Sequence, residues 1–117
     1  MEIKANELRI GNILLCAERD IPYRVTAEDI LVIDDGSSKS RRIPITETYL
    51  LLCSTPESKL NLSFILSRYT KIWVDKSNKN APEWYFVWKR EYIKVEYLDE
   101  IQNLFFFLEK KELTVNL

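Results

Sequence analysis

Residues Tyr97–Leu108 read YLDEIQNLFFFL, the most apolar run of the chain, and their spacing is helical. At about 100° per residue, Leu98, Ile101, Leu104, Phe105 and Leu108 fall on one stripe. Asp99, Gln102, Asn103 and Lys110 fall opposite. Phe106 stands among those polar residues, and Phe107 lies on the flank. The stripe needs an apolar surface to bury against, and the residues before it supply one. Glu83–Trp88 alternates as a strand, with Trp84, Phe86 and Trp88 on one face and Tyr85 and Val87 on the other. Lys89-Arg90-Glu91 turns the chain. Tyr92–Tyr97 is the next strand, with Ile93, Val95 and Tyr97 inward and Tyr92, Lys94 and Glu96 outward. Each aromatic fully buried under such a helix is worth about 2–3 kcal/mol.

Further upstream the period of two begins at Leu60. Leu60, Leu62, Phe64 and Leu66 point one way, and Lys71–Asp75 forms a second strand. Ser77–Pro82 is a polar loop, with Lys79 and Asn80 expected in solvent. The N-terminal third has a different texture. Lys4–Ile10 is a short helical turn capped by Asn6, and Gly11-Asn12 is a turn. Ile13–Ala17, Tyr23–Thr26, Ile30–Ile33 and Arg41–Ile43 read as four short strands, with Ala27-Glu28-Asp29 as a break and Asp34-Asp35-Gly36 as a tight turn. Pro44 ends this region. Thr46 is a good N-cap with Glu47 in the first turn, and a short helix over Tyr49–Cys53 stops at Ser54-Thr55-Pro56.

Strands followed by a helix, without βαβ alternation, give an α+β fold. The expected architecture is a small bent antiparallel β-meander over 1–45, SH3-like by analogy of pattern. A short helix joins it to an antiparallel sheet over 46–117 that the C-terminal helix covers, with Leu113-Thr114-Val115 as an added edge strand. The composition, 46% hydrophobic and 12% aromatic, suffices for an ordered core in a chain of 117 residues.

Charge excludes some partners. Residues 1–59 carry 8 basic and 10 acidic side chains and residues 60–117 carry 9 and 8, so neither half is a basic footprint for nucleic acid. Cys16 and Cys53 form no CxxC pair and read as small core hydrophobes in a reducing compartment. The start, MEIKANELRI, has no apolar leader core, and no window approaches the roughly 18 apolar residues of a membrane span. The expected location is the cytoplasm.

Four stretches together resemble a known family: KANELRIGN (Lys4–Asn12), RIPITETYLL (Arg42–Leu51), LDEIQNLFFFL (Leu98–Leu108) and KELTV (Lys111–Val115). They are similar to small uncharacterised proteins of Bacteroides-group bacteria and their phages and mobile elements. The similarity covers roughly a third of the chain. Tyr49 stands where that family often has Trp, Asp99 where it has His, and Phe107 where it has Ala. The resemblance implies a genomic setting and no particular activity.

The chemistry of the side chains excludes more. The chain contains no histidine, which removes the usual base near neutral pH, the commonest zinc ligand and every Ser-His or Cys-His pair. Gly11 and Gly36 are its only glycines, so there is no Walker loop and no GxGxxG. The acidic pairs Glu28-Asp29, Asp34-Asp35 and Asp99-Glu100 diverge on a strand or a helix and do not converge on a metal. No catalytic residue, cofactor or metal site is therefore expected. Two surfaces remain. One is a partner interface at Phe106 and Phe107 with Gln102 and Asn103 at its rim, covered by the N-terminal meander or by a second copy. The other is a set of anion or nucleotide contacts from Lys39, Arg41 and Arg42, and from a sheet face carrying Lys71, Trp73, Tyr85, Tyr92 and Lys94. Solvated edge charges and ordinary cross-strand pairs explain the same residues without a ligand. The favoured expectation is a non-catalytic accessory protein that binds a protein partner or itself. The alternative is a nucleotide- or nucleic-acid-binding module.

Overall fold

The computed structural model describes residues 8–16, 18–34, 40–57, 62–77 and 80–117, with Asp34 by its backbone alone. The Asn6 cap, the Asp35-Gly36 turn, Lys39, Leu60 and Lys79 lie outside the described residues. The fold is α+β. A three-stranded antiparallel sheet of order β2-β1-β3 uses β1 (Ile13–Cys16), β2 (Ile21–Arg24) and β3 (Ser40–Arg42). A five-stranded antiparallel sheet runs β4 (Thr55–Pro56), β5 (Ser63–Ile65), β6 (Thr70–Asp75), β7 (Glu83–Trp88) and β8 (Glu91–Val95) in spatial order. Three helices are described: α1 (Ala27–Asp34), α2 (Glu47–Leu50) and α3 (Leu98–Glu109). The chain divides into two compact units. One comprises Met1–Pro44 with Tyr97–Asp99, and the other Ile45–Glu96 with Glu100–Leu117.

In the first unit, Gly11 takes a φ of 93°, a conformation that favours glycine. Its N–H donates to the Val25 carbonyl, and the Val25 N–H donates to Asn12. The expected strand at Ile30–Ile33 is instead part of α1, so the four-stranded meander is corrected to three strands and a helix. The reason is local. Thr26 caps the helix, its hydroxyl accepting from the Asp29 N–H while the Asp29 carboxylate accepts from the Thr26 N–H, a reciprocal box of Ser/Thr-x-x-acid type. Ile30 and Ile33 then share one helical face and pack on Leu14 and Val25, while Leu31 and Val32 stay exposed. β3 pairs with β1, from Leu14↔Arg42 to Cys16↔Ser40.

In the second unit, Thr46 caps α2 as expected, accepting from the Tyr49 N–H at 3.3 Å. The alternation in β6–β8 is also as read. The buried face carries Phe64, Ile72, Val74, Trp84, Phe86 and Val95, and the Phe64 and Trp84 rings lie 6.4 Å apart. Trp88 shares this face but is half-buried, and Ile93 is partly exposed on the edge strand β8. Ile101 and Phe105 of α3, with Leu113 and Val115, complete the interior. Leu113–Val115 belongs to no strand, contrary to the expected edge strand. The chain there is held by the Asn116 N–H, which donates to the Leu52 carbonyl.

The phase of α3 differs from the periodicity reading. The buried positions are Leu98, Asp99, Ile101, Gln102 and Phe105, while Leu104 and Leu108 are only half-buried. Asp99 and Gln102 are thus inside rather than on a solvent face. The helix ends at Lys110, whose φ of 62° is the left-handed capping conformation, favourable for glycine and costly for other residues. Its ammonium offsets part of that cost at the negative end of the helix dipole. Lys110→Gly is expected to be more stable than Lys110→Ala by about 1 kcal/mol. Thermal unfolding would read this as a Tm higher by about 3–5 °C, and equal values for the two variants would contradict it.

Candidate functional site

The outer face of the five-stranded sheet follows from the same register that builds its inner face. Trp73 pairs directly with Tyr85, Tyr85 with Lys94, and Val87 with Tyr92. Three rings therefore meet on one surface. Trp73 and Tyr85 are 5.5 Å apart and tilted, and Trp73 meets Tyr92 edge-on at 6.2 Å. Tyr92 is 60% exposed and Trp73 36%, so their apolar faces are available to a ligand.

The rim is charged. The Tyr85 hydroxyl donates to Glu83 at 2.7 Å, and this bond raises the phenol above its ordinary pKa. Glu83 also faces Lys94 at 3.8 Å, and Glu57 faces Lys71 at 3.7 Å. Glu57 is lowered below the usual carboxylate range, first by the Ser63 hydroxyl and then by Lys71. Asp75 is lowered by the hydroxyl and N–H of Ser77. These exposed ion pairs are worth little individually.

Beside the rings the face is concave. A cavity of about 490 Å³ is lined by Ile65, Arg68, Tyr69, Lys71, Val87 and Lys89, among others. Val87 points outward yet is only 5% exposed. The turn from β5 to β6 that forms one wall is ordered by its own bonds. The Leu66 and Ser67 N–H groups donate to the Thr70 carbonyl, and the Ser67 hydroxyl donates to Glu109 at 2.5 Å. Lys89 sits at the tip of the two-residue β7–β8 hairpin with a φ of 55°, its ammonium 5.4 Å from the Trp88 ring. Arg68 lies 5.6 Å over Tyr69.

Of the residues singled out from sequence, Lys71, Trp73, Tyr85 and Tyr92 come together here. Arg68, Tyr69 and Lys89 were not foreseen, because a turn and a hairpin tip carry no periodicity. Arg41, in the first unit, is exposed and pairs with Asp20 at 2.6 Å. Arg42 is engaged inside that unit. It holds Asp99 through two bonds, Nε to Oδ1 at 3.1 Å and a terminal nitrogen to Oδ2 at 2.7 Å, and lies 4.3 Å over the Tyr97 ring. The Asp99 side chain has no exposure and that of Arg42 only 14%. Phe106 and Phe107 are 40% and 67% exposed. Gln102 is buried and Asn103 half-buried; Gln102 therefore cannot serve as a rim donor there, because the helix is rotated from the expected phase. Among the described residues, no three His, Cys, Asp or Glu side chains converge as a metal site, and no helix is long and apolar enough to cross a membrane.

Comparison with protein-family models, with curated proteins and with solved structures found no match to this chain.

Two measurements test this placement. Asp99→Ala is expected to cost about 3–5 kcal/mol by removing the carboxylate that takes two charge-assisted bonds from the largely buried Arg42, whereas Arg42→Met with Asp99→Leu costs less than half as much. Denaturant unfolding of the two variants decides, and equal losses would show that the pair is not what holds Arg42. Cys53 donates to the Leu50 carbonyl at 3.5 Å, and burial pushes its thiol up to about 11. Its raised value stabilises the neutral thiol, so this contribution is lost as pH rises from about 8.5 through about 11. In a Cys16→Ser background at pH 8, Cys53 should react with a thiol reagent at least tenfold more slowly in the folded protein than in urea. Equal rates would contradict the burial argument.

Proposed function

We propose that this protein is a non-catalytic binding protein and that the outer face of the five-stranded sheet is its working surface. The observation that carries the reading is the cluster of Trp73, Tyr85 and Tyr92, in which Trp73 meets both tyrosines while Trp73 and Tyr92 stay open to solvent. Rings pre-positioned in this way offer contact area at little entropic cost, and Trp and Tyr dominate binding energy where they are buried by a partner. The paired charges at the rim fit the polar border of such a surface. The absence of histidine from the chain weighs against general base or nucleophilic chemistry near neutral pH. An accessory role in a phage or mobile element accords with the family that the chain resembles.

The test begins from the tagged protein purified from its native host together with its partner. Trp73→Ala with Tyr92→Ala is expected to lose the partner while keeping the far-ultraviolet dichroism and a Tm within a few degrees of the parent. Leu31→Ala, at an exposed position on α1, is expected to keep the partner. Retention of the partner by the double variant would overturn the reading.

A further inference from the structure

We propose that the cavity beside the rings is a phosphate subsite and that the ligand of the outer face is single-stranded nucleic acid. This rests on the reading of that face as the working surface. The cavity lining is charge-asymmetric. It brings Arg68, Lys71 and Lys89 together against Glu57, a net positive pocket on a chain whose total charge is −1. Among the described residues, Arg68 and Lys89 make no ion pair. Lys71 makes a loose one with Glu57, both side chains more than 40% exposed. Glu57 also accepts a hydrogen bond from the Ser63 hydroxyl, so an anion that draws Lys71 away does not strand a carboxylate. An oxyanion in the pocket would gain three charge-assisted partners at the cost of one weak pair.

The rings lie at the correct side of that pocket. Lys71 and Trp73 are two residues apart on β6 and share a face, which separates them by about 6.6 Å. A phosphate held by Lys71 thus places the attached nucleoside over Trp73 and Tyr85, with Tyr92 continuing the shelf. Glu83 and Asp75 sit at the ring end, where Lys94 offsets one of the two charges. The cavity end carries Arg68, Lys71 and Lys89 against the single carboxylate of Glu57, so the excess of positive charge lies there. This polarity matches a nucleotide strand, with its charge along one side and its flat rings along the other, better than an acidic peptide. Stacking is worth about 1–3 kcal/mol per base and is tolerant of sequence, so the expected binding discriminates little between bases.

The experiment is fluorescence anisotropy of labelled dT12 with the full chain, from 50 to 200 mM salt. Two or three phosphate contacts predict a logarithmic salt slope of about −2, an affinity loss of roughly tenfold or more across that range. Arg68→Gln, Lys71→Gln and Lys89→Gln together should flatten the slope towards zero. Trp73→Leu should weaken binding about tenfold and leave the slope unchanged. Absence of binding at 50 mM salt by the folded protein would overturn the proposal. So would competition by polyglutamate as effective as by unlabelled dT12, combined with indifference to Trp73→Leu. If dT12 fails while the host partner still depends on Trp73 and Tyr92, the face remains the working surface and its partner is a protein. If the partner ignores those rings too, the broader reading falls with it.

Discussion

The pairing of β6 with β7 is the constraint on which both faces of the larger sheet depend. Its six pairs run from Thr70↔Trp88 to Asp75↔Glu83. They put Ile72, Val74, Trp84 and Phe86 into the interior and leave Trp73 and Tyr85 outside. A slip of one residue would exchange the two sets. Ile72 and Phe86 are fully buried, each worth about 2–3 kcal/mol, so the slip would cost a large part of the 5–15 kcal/mol typical of a whole domain. The interior therefore fixes the outer rings at their spacing, far more firmly than the roughly 0.2–1 kcal/mol of a cross-strand aromatic pair could.

That register was legible because the signal is simple. Two short runs rich in aromatic and β-branched residues, Lys71–Asp75 and Glu83–Trp88, flank a polar loop, period two assigns their faces, and a two-residue turn leaves little freedom in the pairing of β7 with β8. The first unit was harder. Ile30, Val32 and Ile33 are β-branched and favour a strand by propensity. The cap that overrules them, Thr26 with Asp29, was present in the sequence but carries Asp where Glu or Gln is usual. The packing settles the matter. A helix brings Ile30 and Ile33 to one face against Leu14 and Val25, whereas a strand would send them to opposite faces.

The phase of α3 shows where a sequence stops informing. Polar residues at Asp99 and Gln102 mark a solvent face unless something inside satisfies them, and for Asp99 that partner is Arg42, 57 residues earlier. A buried carboxylate is costly without charge-assisted partners, and no local pattern reveals a partner so far away in sequence. The same limit applies to the site. Its rings lie on strands, where period two assigns their face. Two of the cavity's cations, Arg68 and Lys89, lie on a turn and a hairpin tip, and only the folded chain brings them beside Lys71.

Lys89 carries the argument one step further. A non-glycine residue in the left-handed region costs roughly 1–2 kcal/mol, and glycine is the cheap choice at such a hairpin position. Lys110 adopts the same conformation, but there the helix dipole gives a cation a local reason to be present. At Lys89 no helix end is involved. The contact with Trp88, at about 0.5–1 kcal/mol for an exposed pair, offsets only part of the cost. Stability alone would therefore place glycine at this tip. Lys89 thus holds its charge beside Lys71 and Arg68, which line the same cavity, in a conformation that its own local contacts offset only in part.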